Sequence, residues 1–173
     1  MKIPPFKIIP LRAGFLEKVR KQGIDDQNQS VEFSIAAGGE PCRDVMRVAL
    51  PGERIILASY CPFTHSGPYK EYGPVFVLAQ TSDENPDMQR LPMYLPGEQD
   101  ISKEDDPNYY GPYLGENFIL KGYSNDERIV DAKLATPQSA YNIISAFFER
   151  PDITFVMARY TAFGCYSLRL ERQ

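Results

Sequence analysis

The apolar positions of this chain fall in short runs, and their spacing predicts several short strands and two helices. Phe6 to Pro10 reads as a first strand. Leu11, Phe15 and Val19 then recur every fourth residue within 11–22, the stripe of an amphipathic helix ending near Gly23. After a polar connector, Asp25 to Ser30, the segment Val31 to Ala36 sets Val31, Phe33 and Ile35 against Glu32 and Ser34. Such alternation predicts a half-buried strand. RIILASY (54–60) and PVFVLAQ (74–80) are apolar on both faces and bounded by Pro and Gly, which predicts two inner strands. The segment between them, Cys61 to Gly73, is too long for a tight hairpin turn.

From Thr81 to Glu116 the periodicity disappears. Pro86, Pro92, Pro96, Pro107 and Pro112 break the chain, and Glu98 to Asp106 is acidic. This stretch is expected to be an irregular surface insertion, cut first by proteases near Glu98 to Asp106. Phe118 to Tyr123 and Arg128 to Leu134 read as two strands around the turn Ser124-Asn125-Asp126. Thr136 and Pro137 resemble an N-cap and first helical position, and Tyr141, Ile144, Phe147 and Phe148 form the stripe of a helix stopped by Pro151. Ile153 to Tyr160 and Cys165 to Glu171 are expected to close the chain as a hairpin. The apolar pattern sets its register as Phe155 with Leu170, Met157 with Leu168, and Arg159 with Tyr166. These elements predict a single α+β domain over 1–173: a mainly antiparallel β-sheet, two short helices and the 81–116 insertion.

Charge and cysteine content narrow the functional classes. The formal charge of −4 argues against nucleic acid as a partner, since phosphate binding needs a surplus of Lys and Arg. No run approaches the roughly 18 apolar residues of a membrane span, and the N-terminus has no secretory pattern. Three cysteines do not build a disulfide framework, so a cytoplasmic setting is expected. Oligomeric state is left open.

Two segments resemble a known family. PCRDVMRVALPGERIILASYCPFTHSGPYKEYGPVFVLAQ (41–80) carries a Pro-Cys-Arg opening, a Pro-Gly-Glu turn, a strand into Pro-Phe, then Pro-Tyr and Gly-Pro-Val-Phe. FVMARYTAFGCYSLRLER (155–172) carries an Arg…Gly-Cys…Arg-Leu-Glu-Arg ending. In order and spacing these are similar to the DUF1203 family, which is named for having no known function. The resemblance implies no mechanism. Family members often have further Cys and His residues where this chain has Val45, Leu78 and Ser82, so it implies no thiol or metal site here.

The candidate chemistry is sparse. No phosphate loop, HExxH or paired-carboxylate signature occurs, and no cofactor is expected. Cys61 and His65 are four apart, but Pro62 and Gly67 argue against a helix, and two ligands do not complete a zinc site, so no metal is expected. The preferred reading is a binding domain for a small, anionic ligand. Its pocket would lie between the 61–73 loop and the 159–166 hairpin end, with Arg43, Tyr69, Glu71, Arg159 and Tyr166 as ligand-binding residues. Arg159 ends an apolar face, so its charge should require a carboxylate or a bound anion, unless it snorkels to solvent. A second reading is a thiol-dependent enzyme using Cys42 or Cys165 as nucleophile and His65, the only histidine, as base. A third is a protein-interaction module acting through the 81–116 insertion.

Overall fold

The computed structural model describes residues 6–94 and 111–173. Among them the chain forms two five-stranded sheets. Strands β1 (Phe6–Ile9), β7 (Phe118–Tyr123), β8 (Ile129–Ala135), β9 (Phe155–Tyr160) and β10 (Tyr166–Arg172) make the first, in the order β1-β10-β9-β7-β8, all antiparallel. Strands β2 (Glu32–Ile35), β3 (Pro41–Cys42), β4 (Arg47–Val48), β5 (Arg54–Tyr60) and β6 (Gly73–Leu78) make the second, in the order β2-β5-β6-β3-β4. Its one parallel contact joins Cys42 to Phe76. The α+β class expected from the sequence is the class found, although the strands divide between two sheets.

Three apolar clusters explain why so many strands lack a polar face. Between the sheets, Ile56, Ala58, Val75 and Val77 meet Tyr123, Phe155, Met157 and Tyr166. Helix α1 (Ala13–Glu17), which continues as a π-helical turn over Lys18–Gln22, adds Leu11, Phe15 and Val19 to that layer. Gly23, at φ +66°, ends it in the left-handed conformation. On the far side of the first sheet, α2 (Ala140–Glu149) lays Ile144, Phe147 and Phe148 on Phe118, Leu120, Val156 and Leu170. On the far side of the second, Ile55 and Leu78 are covered by Ala36, Cys42, Val45 and Ala49.

Three expectations need correction. The β2 residues are all exposed rather than half-buried: β2 is an edge strand with Phe33 53% and Ile35 61% exposed. Helix α2 begins at Ala140, and Thr136 instead opens a turn whose carbonyl accepts from the N–H groups of Ser139 and Ala140. In the last hairpin Arg159 does pair with Tyr166, but a bulge at Ser167 shifts the rest, so that Leu168 faces Ala158 and Leu170 faces Val156.

Four carboxylates tie turns to strand ends. Asp25 accepts from the N–H groups of Gln27, Gln29 and Ser59, at 2.9, 3.0 and 3.1 Å. Asp26 accepts from Cys61 N–H at 2.8 Å and pairs with Arg12. Asp44 accepts from Arg20 at 2.6 Å and from Leu78 N–H. Glu127, in the β7–β8 turn, receives Thr64 and His65 and so anchors the loop after β5. Of the 81–116 insertion, residues 81–94 and 111–116 carry no helix or strand, and Leu91, Met93, Tyr113 and Leu114 are buried. The acidic run Glu98 to Asp106 lies outside the described residues.

Candidate functional site

Strand β9 decides which predicted site residues can share a cavity, because neighbours along a strand point to opposite faces. Arg159 points with Phe155 and Met157 toward the layer between the sheets. It is only 5% exposed, pairs with the Glu71 carboxylate, and donates from Nη1 to Gly164 O at 3.1 Å. The carboxylate demanded by its position is therefore Glu71, on the loop anchored by Glu127. Tyr160, the next residue, points the other way and lines a cavity of about 570 Å³. Arg43 also lines this cavity; Arg159, Glu71, Tyr69 and the Tyr166 side chain do not.

The cavity opens where the β3–β6 edge of one sheet meets residues 112–117 and the β9–β10 turn of the other. Arg43 reaches it because the parallel contact of β3 with β6 fixes its backbone, with Arg43 N–H donating to Phe76 O at 2.9 Å. Its side chain is 5% exposed. Nε donates to Tyr166 O at 3.0 Å and Nη1 to Pro41 O at 2.6 Å. The guanidinium carbon sits 5.2 Å from the centre of the Tyr160 ring. No ion pair among the described residues includes Arg43; Asp44 beside it is taken by Arg20, and Glu53 by Arg47. A buried cation held by two carbonyls and an aromatic face keeps most of its desolvation cost.

The tyrosines around Arg43 are neutral donors. Burial pushes the hydroxyls of Tyr113 and Tyr160 above their ordinary range. Tyr113 donates to Ser167 O at 2.8 Å. The hydroxyls of Tyr160 and Ser167 are buried too, and they lie against each other and against the Tyr113 hydroxyl. The Ser167 bulge has a role here: the carbonyls of Tyr166 and Ser167 accept from Arg43 and Tyr113. Tyr113 and Tyr160 were not among the expected site residues, though the alternation of β9 places Tyr160 on the face opposite Arg159.

The thiols and His65 are dispersed. Cys42 is wholly buried in the outer cluster, where burial and then Asp44 push its thiol up to about 12. The Arg43 and Arg47 charges do not offset this. Cys61 is buried and directs its thiol to Phe63 O. Cys165 is partly exposed and lines the cavity. His65 is exposed, 3.7 Å from Glu127, and does not line the cavity. Among the described residues no three His, Cys, Asp or Glu side chains converge as a metal site. Ellman's reagent at mildly alkaline pH is expected to titrate Cys165 in the native protein, and Cys42 and Cys61 only after denaturation. A fast native reaction at Cys42 would contradict its burial.

Tyr69 is exposed, and Tyr166 is a core residue whose ring lies 5.4 Å from Tyr60. Among the described residues no helix is long and apolar enough to cross a membrane. No curated protein and no solved structure matches the chain significantly. Residues 39–172 match DUF1203, a protein family of unknown function, and span β3 to β10 with every cavity-lining residue. The chain belongs to the DUF1203 family.

Proposed function

We propose that this domain binds a small anionic ligand in the cavity beside Arg43. The supporting observation is the buried guanidinium without a carboxylate partner among the described residues, packed over the Tyr160 ring. A bound anion would supply the missing charge and accept from Arg43 Nη2. The cavity lies in the volume range of small-molecule sites and its described lining includes no Asp or Glu to repel an anion. Earlier expectations are narrowed accordingly: Arg43 is retained, whereas Arg159 pairs with Glu71 elsewhere and keeps only its buried Nε without a partner. We place the protein in a reducing, cytoplasmic setting, where Cys165 persists as a thiol. The net charge of −4 weighs against nucleic acid as the anion.

The test is Arg43→Met. In ligand-free protein it is expected to change stability by no more than about 1 kcal/mol, because relief of the desolvated charge offsets the loss of two carbonyl bonds. Thermal-shift screening with small carboxylates and phosphate monoesters should raise the melting temperature of the wild type and not of the variant. A loss of several kcal/mol in the variant, with no anion shifting the wild type, would make Arg43 a structural tie.

A further inference from the structure

We propose that the ligand is an amphipathic monocarboxylate, one carboxylate on an aliphatic or aromatic body, and not a phosphate or polyanion; this rests on the anion-binding reading above. The charge count comes first. Arg43 is the one Lys or Arg among the described lining residues, so the described lining neutralises a single negative charge. A phosphate dianion or a diphosphate set against the buried Arg43 guanidinium would retain uncompensated charge there. The donor geometry agrees. With Nε and Nη1 held by Tyr166 O and Pro41 O, Arg43 keeps Nη2 without a partner among the described residues. Nη2 is a single charged donor, and one oxygen of a carboxylate accepts from it.

The walls define the rest of the ligand. Leu57 and Phe76, direct cross-strand partners, form one side with Leu114, which is buried. Phe163, on the β9–β10 turn, lines the same cavity while 85% exposed. A volume of about 570 Å³ holding one cation and chiefly apolar walls is far larger than a lone carboxylate requires. It suits a body the size of an octyl chain or a phenyl ring, which Phe163 would cover on binding. Cys165, two residues after Phe163 and also in the lining, becomes a local reporter of occupancy.

Calorimetric titration of the full chain with octanoate, octan-1-ol and inorganic phosphate tests this. Octanoate is expected to bind, to slow alkylation of Cys165 by N-ethylmaleimide, and to bind roughly 10- to 100-fold more tightly than octan-1-ol, the worth of a charge-assisted contact. Arg43→Met should abolish that preference, and Phe163→Ser should weaken octanoate with little change in thermal stability. Phosphate binding that depends on Arg43, without octanoate binding, would overturn the monocarboxylate and leave the anion site standing. Equal binding of octanoate and octan-1-ol, unchanged in Arg43→Met, would overturn both proposals. So would the absence of any anion binding.

Discussion

Phe155→Ala is expected to destabilise the protein by about 3–5 kcal/mol, the range for an aromatic deletion in a packed core. Phe155 is 2% exposed and lies between the two sheets. Its ring stacks on Tyr123 at 5.0 Å with the planes 6° apart, and the Arg169 guanidinium carbon sits 3.7 Å from its centre. Truncation opens a cavity and removes the aromatic face from Arg169, a half-buried cation paired with Glu171, two costs that add. Because a domain's total stability is about 5–15 kcal/mol, the variant should unfold at much lower urea, whereas Phe155→Leu, which keeps most of the volume, should lose far less. Phe155 begins the strand that ends in Tyr160, so Phe155→Ala should also loosen the cavity floor. A loss below about 1 kcal/mol would mean that contact between the sheets does not organise the fold.

How legible this arrangement was depended on whether each segment answered to local or to distant neighbours. RIILASY and PVFVLAQ could be recognised as inner strands because both faces of β5 and β6 carry apolar residues, most of them covered, leaving few polar positions in the pattern. Leu11, Phe15 and Val19 marked α1 for the same reason. The alternation in β2 misled because an edge strand can carry Phe33 and Ile35 into solvent. The hairpin register was correct up to Tyr166 and failed beyond it. The tertiary partners of the bulge, Arg43 and Tyr113, are 123 and 54 residues distant from Tyr166 and Ser167. Arg43 and Arg159 looked equivalent as lone cations in a sequence. They differ because Glu71, 88 residues away, returns to Arg159, and no described carboxylate returns to Arg43.

Glu127→Gln is expected to cost about 2–3 kcal/mol at neutral pH and to flatten the acid side of the stability profile. The Glu127 carboxylate is buried and accepts from Thr64 N–H at 2.9 Å, His65 N–H at 2.8 Å and the Thr64 hydroxyl at 2.9 Å. An amide keeps the shape but puts an NH₂ group against donors, so charge-assisted bonds are lost and at least one N–H is orphaned. The residue also holds φ at +57°, a conformation that a non-glycine side chain adopts at a cost. Glu127→Gly should therefore be less harmful than Glu127→Ala by about 0.5–1 kcal/mol, although both lose the carboxylate. Burial by itself would raise the Glu127 carboxyl, but the Thr64 and His65 donors outweigh it and hold the folded-state pKa below the ordinary value. A depressed pKa means that the unfolded chain takes up the proton first on acidification. The stabilisation is then fully present above about pH 4.3, the ordinary glutamate value, and is lost as pH falls through the lower folded value. Urea denaturation across this range should show the wild type converging on Glu127→Gln as the solution becomes acidic. A gap between them that stays constant from neutral pH into strong acid would show that the carboxylate does not hold the 61–72 loop, and with it Glu71, in place.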